Sequence, residues 1–115
     1  MKRRFRLTRT TDFKRVRRRG KSFAHPLIVL IYTESSFSET RIGVSVGKSV
    51  GNAVKRNRAK RRIRACIDRL LYGIKPGYDL IIIGRKPVLE AEFVELERAM
   101  KILLSKAGLL EVEKT

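Results

Sequence analysis

V-G-N-A-V-K-R-N-R-A-K-R-R-I-R-A-C, residues Val50 to Cys66, is the stretch on which the fold turns. It carries seven Lys/Arg and no acidic residue, yet small and apolar residues return at helical intervals. With Asn52 as the starting cap, Ala59, Ile63, Ile67, Leu70 and Leu71 recur at steps of three and four and form one apolar stripe. A disordered basic tail has no need of such a stripe. The pattern predicts a helix with one face on a core and the rest covered by guanidinium and ammonium groups, a surface suited to a polyanion.

Upstream, Gly47 to Gly51 links this helix to Arg41–Val46, where Ile42, Val44 and Val46 alternate with Arg41, Gly43 and Ser45 as in a half-exposed strand. The small outward residues leave room for a ligand. Downstream, Lys75-Pro76-Gly77 breaks the chain before Tyr78 to Ile83, whose near-continuous apolar character fits an interior strand. A helix crossing between two strands implies that they pair in parallel. Leu27 to Tyr32 is β-branched and aromatic enough for a buried strand, preceded by a brief extended piece at Lys21 to Ala24 and followed by a turn at Glu34 to Glu39. Thr11-Asp12 opens a short first helix with Phe13 and Val16 on one face, five basic residues on the others and Gly20 at its end. Leu89 to Ala107 forms the last helix, with Phe93, Leu96, Met100, Leu103 and Leu104 in phase. Glu90, Glu92, Glu95 and Glu97 then fall in its first turns, where carboxylates complement the helix dipole.

The expected architecture is an α/β (α+β) two-layer sandwich: an approximately four-stranded mixed sheet and three helices in the order αβββαβα. A length of 115 residues, 43% of them hydrophobic, fits one domain over 1–115 with a basic N-terminal extension at about 1–10. The net charge of +17 is uneven: residues 1–64 hold 20 Lys/Arg and 3 Asp/Glu, residues 65–115 hold 8 of each. The binding half is the basic half. No apolar run approaches the roughly 20 residues that span a bilayer, and Lys14 to Arg19 interrupts any signal-peptide core, so a cytoplasmic location is expected. A membrane-surface helix needs a wide Leu, Phe or Trp face, which this basic helix lacks.

Catalytic chemistry is thin. Asp12, Asp68 and Asp79 are scattered over three elements, the glutamates read as a solvated helix face, and His25 and Cys66 stand alone without metal-ligand spacing. Cys66 falls beside the apolar stripe and reads as a small core residue; His25, before Pro26, reads as a turn residue. No catalytic residue and no metal site is therefore assigned. Arginine outnumbers lysine in the basic helix and can both bridge phosphates and stack on bases, which favours nucleic acid as the partner.

The order of residues adds to their composition. Arg56-Asn57-Arg58, with Lys60-Arg61 and Arg64 after it and Gly51-Asn52-Ala53-Val54 before it, closely resembles the RNR signature of the bacterial ribonuclease P protein component. Arg6-Leu7, Asp12-Phe13 with Val16 and Gly20, Arg41 to Val46, and Tyr78-Asp79-Leu80 through Arg85-Lys86 match the same family in order, so the resemblance runs from about Arg4 to Ala107. It implies a left-handed crossover through the basic helix, where the residues alone favour the common right-handed one. It also implies a subunit that joins a large catalytic RNA, the complex removing the 5′ leader of precursor tRNA by hydrolysis. The protein itself would bind no cofactor, the Mg2+ ions would sit in the RNA, and no obligate protein partner is implied.

On this resemblance Arg56, Asn57, Arg58, Lys60, Arg61 and Arg64 meet the catalytic RNA, and Arg62 lies outside the repeated positions. The single-stranded leader would lie in a cleft formed by Phe13, Arg17, Ser45, Lys48, Asn52, Arg85 and Lys86, through stacking and backbone charge. Two family aromatics are replaced here, by Arg17 and Ile31, which leaves stacking to Phe13 and the Arg17 guanidinium plane. Blander readings stand beside these: Phe13 as core, Asn52 as helix cap, Arg41 as a charge discouraging edge pairing, and Arg61 and Arg62 as solvated surface. Two other functions fit the residues alone, a structural RNA-binding protein of ribosomal type without a processing role, and a nonspecific DNA-binding protein.

Overall fold

A computed structural model describes residues 1–110; residues 111–115, included in the expected domain, lie outside them. Helix α1 (Thr10–Arg19) leads into strands β1 (Lys21–Ala24), β2 (Ile28–Glu34) and β3 (Arg41–Val46), then helix α2 (Ala53–Leu70), strand β4 (Tyr78–Gly84) and helix α3 (Phe93–Lys106). Short 3-10 turns occupy Arg3–Phe5, Lys48–Val50, Leu71–Gly73 and Lys86–Leu89. The order is the expected αβββαβα. The sheet runs β1-β2-β4-β3, antiparallel except for the parallel pair β3–β4 that α2 connects.

β4 is interior to the sheet and, after Asp79, apolar from Leu80 to Ile83. Leu80 and Ile82 point into the main core with Leu30, Ile42, Ile63, Ile67, Leu96 and Met100, under α2 and α3. Ile81 points the other way, into a small cluster with Leu7 and Val16, where Phe13, Ile31 and Ile83 are partly buried. α1 and Leu7 of the N-terminal arm cover that second face. The α2 stripe is buried at Ala59, Ile63, Cys66, Ile67 and Leu70, while Leu71 begins the following 3-10 turn and stays half-buried. Asn52 caps the helix, its Oδ1 accepting from the Lys55 N–H at 3.0 Å.

Three expectations need correction. The last helix starts at Phe93, not Leu89, because the Pro87 carbonyl accepts from the N–H groups of Glu90 and Ala91 and closes a separate turn. Glu90 therefore precedes the helix, and Glu97 pairs with Arg69 at 3.2 Å and Lys101 at 3.6 Å instead of serving the dipole. The outward face of β3 is not open throughout: Gly43 is buried, and a Cβ there would collide with the Phe13 ring seated on it. Gly20 has a similar duty, since a side chain at that position would meet Ile31 Cγ2 at 2.7 Å where α1 closes on β2.

The third correction concerns charge. Asp12 and Asp79 are not scattered in space; they meet around Arg15 and Arg41. Asp79 is fully buried, with Arg41 Nε donating to Oδ1 at 3.0 Å and Arg41 Nη2 to Oδ2 at 2.9 Å. Arg15 also pairs with Asp79 Oδ2 and donates to Asp12 Oδ1 at 3.3 Å. The Asp79 carboxylate raises the Arg15 pKa above the ordinary guanidinium range. Arg41 is thus an internal tie, not an edge charge. Val16 is the one residue of α1 that is fully buried, an anchor of roughly 1.5–3 kcal/mol, so this network is the other fastening of α1 to the sheet.

The N-terminal extension is docked. Leu7 is buried and its N–H donates to the Ile42 carbonyl at 3.0 Å, while Arg6 bridges to Ile42 in parallel along the outer side of β3.

Candidate nucleic-acid interface

Helical phase sorts the basic residues of α2 into rows. Arg56, Lys60 and Arg64 stand four residues apart and form one ridge, about 12 Å from end to end at 1.5 Å per residue. They border the buried stripe and are half-buried, whereas Asn57, Arg58 and Arg61 stand farther out and are exposed. The Arg56 Nε is buried without a hydrogen-bond partner among the described residues. Arg62 behaves differently: its guanidinium donates to the carbonyls of Leu89, at 2.9 Å, and Ala91. It ties α2 to the segment before α3. The six expected RNA-binding residues thus all lie off the buried stripe of α2, with Arg56 and Arg58 on opposite flanks, and Arg62 is structural.

The expected cleft residues are gathered less completely. Register places Val29, Ile83 and Ser45 in one row across the sheet, next to the row Ile31, Ile81 and Gly43 that α1 covers. Val29 and Ile83 of this uncovered row floor a groove of about 540 Å³ whose walls include Pro26, Gly47, Ser49, Arg85 and Lys86. Arg17 Nη2, from α1, reaches Ser45 Oγ at 3.5 Å at the β3 end of this row. Lys48 is exposed in the turn beside Gly47 and Ser49, and Arg85 holds the His25 carbonyl at 3.1 Å. Asn52 stays outside the groove with its side-chain oxygen committed to capping.

Phe13 sits elsewhere. It lines a second hollow of about 200 Å³ with Arg6, Thr8, Ile42, Val44 and Arg64. A residue expected in the leader cleft and one expected on the RNA-binding helix therefore meet at the edge of β3. Sequence reasoning missed Arg6 and Thr8 here, and it missed the Asp79 network. The signal for the latter was present, because one carboxylate within an otherwise apolar interior strand requires a cationic partner.

Cys66 is fully buried, and desolvation, aided by the Glu97 charge, pushes its thiol up to about 12. It is therefore a protonated core side chain at neutral pH. His25 Nδ1 accepts from the Leu27 N–H at 3.1 Å, which holds the turn into β2. No helix among the described residues is long and apolar enough to cross a membrane.

The Ribonuclease P family model matches residues 1–108. The chain belongs to the ribonuclease P protein family. It is 40% identical over 112 residues to the ribonuclease P protein component of Oceanobacillus iheyensis, covering 96% of this chain and 93% of that one. With the component from Listeria innocua the identity is 42% over 113 residues, covering 96% and 94%. Among solved structures, the Staphylococcus aureus RNase P protein superposes with a TM-score of 0.83 at 29% identity, over 93% of this chain and 98% of that one. The Thermotoga maritima protein gives 0.79 at 26% identity, over 95% and 98%. The four-stranded mixed sheet with three helices is thus the fold of this family.

Proposed function

We propose that this protein is the protein subunit of ribonuclease P, binding the catalytic RNA and the 5′ leader of precursor tRNA while the RNA cleaves the leader. The observation that carries the reading is the ridge Arg56, Lys60 and Arg64, with Asn57 and Arg61 next to it and Arg58 on the far flank, on a helix whose other face is locked in the core. Such a ridge is rigid, and rigid guanidinium forks bind phosphate with less loss of side-chain entropy. The partnerless Arg56 Nε supports it, since a phosphate or base acceptor would satisfy a buried donor.

The leader would run along the open row of the sheet, over Val29, Ile83 and Ser45, between Arg17 and the pair Arg85-Lys86. An apolar floor with cations at both ends accepts a single strand with little sequence demand. Catalytic Mg2+ would belong to the RNA. Asp12 and Asp79, the carboxylates that come together here, already face two guanidinium groups that would repel a divalent cation.

The test is cleavage of a precursor tRNA at low magnesium by a bacterial ribonuclease P RNA with and without the protein. Strong stimulation is expected with the RNA, and no cleavage by the protein alone. Arg58→Ala and Arg64→Ala should weaken assembly with the RNA, whereas Arg17→Ala and Lys86→Ala, at the two ends of the proposed leader path, should mainly weaken binding of leader-bearing substrate. Absence of stimulation by a closely matched RNA would favour a structural RNA-binding role instead.

A further inference from the structure

The N-terminal arm and the end of α2 enclose a feature that the expected RNA-binding residues do not use. Phe5, Leu71, Tyr72, Ile74 and Pro76 line a mainly apolar hollow of about 240 Å³. Tyr72 is 87% exposed, an extreme value for an aromatic side chain, while the Arg4 guanidinium lies 4.7 Å from the centre of the Phe5 ring. Isolated exposed aromatics are ordinary; here two aromatic residues line one hollow and one of them is backed by arginine, the residue types that stack on planar groups.

The surroundings identify the ligand class. Lys2, Arg3 and Arg4 are exposed along the arm, and Lys75 is exposed on the far side. The acid nearby, Glu39, is paired with Arg4 at 3.7 Å, and the Thr40 hydroxyl already donates to the Lys75 carbonyl at 2.6 Å. The arm is held in place, not trailing: Leu7 is 3% exposed, and the Met1 amino group pairs with Asp68 of α2 at 3.0 Å. Tyr72 lies in the turn after α2, eight residues beyond Arg64, and the carboxylate of Asp68 between them is paired with the Met1 amino group.

We propose that the arm from Lys2 to Arg4 and the hollow between Phe5 and Tyr72 form a second binding surface for the catalytic RNA. An unpaired base enters between the two rings, and the adjoining phosphates meet Lys2, Arg3 and Arg4. The proposal rests on the reading that ribonuclease P RNA is the partner of α2, and it adds to that reading a separate, stacking-based site in the turn after α2, eight residues beyond Arg64.

Equilibrium binding of the full chain to a bacterial ribonuclease P RNA, with hydroxyl-radical footprints, tests it. Tyr72→Ala should lower affinity by roughly 5- to 150-fold, the range of one lost base stack, and Tyr72→Phe should retain it. The double variant Arg3→Ala, Arg4→Ala should reduce the salt slope by about 0.7 for each phosphate that the arm ceases to neutralise. The nucleotides unprotected by Tyr72→Ala should differ from those unprotected by Arg58→Ala. Wild-type affinity and salt slope in both arm variants, with Arg58→Ala weakened, would overturn the second site alone. Failure of the wild-type chain to prefer this RNA over an unrelated one would overturn the underlying reading as well. A change in self-association by sedimentation with RNA affinity intact would make the hollow a protein-binding surface and likewise overturn it.

Discussion

Arg61 and Arg62 are neighbours in sequence and do unlike work: Arg61 is exposed, and Arg62 holds two backbone carbonyls of the segment before α3. One residue is about 100° of helix, enough to move a guanidinium from solvent to a seam between elements. Cys66 makes the same point for chemistry, since its place in the α2 stripe removes it from solvent. Its folded pKa of about 12 lies above the ordinary value of 9.0. Folding therefore favours the protonated thiol, a contribution that is complete below pH 9 and lost as pH rises toward 12. Native protein should resist iodoacetamide at about pH 8 and react once unfolded in urea, and Cys66→Ala should remove part of the stability loss between pH 9 and 12; rapid alkylation of the native chain would contradict the burial. The position of Cys66 was legible in the helical period. The partners of Arg62 were not, because they are backbone atoms 27 and 29 residues away.

At the scale of elements, α1 is held to the sheet by few groups. It buries Val16 and rests Phe13 on Gly43, and its other tie is the network of Asp79 and Asp12 with Arg15 and Arg41. Removing the Asp79 charge leaves two guanidinium groups close together over a buried site. Asp79→Asn should cost about 3–5 kcal/mol in urea unfolding, with the loss felt first in α1, as faster amide exchange there than in α2. Unchanged stability would mean that apolar packing alone holds α1. The boundaries of α2 followed from Asn52 and the apolar stripe, whereas the start of α3 depended on hydrogen bonds to the Pro87 carbonyl that no periodicity records.

For the whole molecule the dominant fact is the uneven +17 charge, with 20 of 28 Lys/Arg in residues 1–64. If about 6 to 10 phosphates are neutralised, affinity for RNA should fall by roughly 10³ to 10⁵ between 50 and 200 mM salt; a flat response in a filter-binding titration would exclude phosphate binding as the main source of affinity. By itself the sequence determined the element order, the parallel pairing around α2, the buried stripe and the basic half, because each is written in local periodicity, turn residues and net charge. Only the tertiary structure decided which outward residues meet. Packing set Phe13 on Gly43 and in one hollow with Arg64, drew Asp12 and Asp79 to two arginines, and laid the N-terminal arm along β3 so that Phe5 and Tyr72 line one hollow. Those meetings join residues far apart in the chain, and their geometry follows from how the layers stack and not from any local pattern.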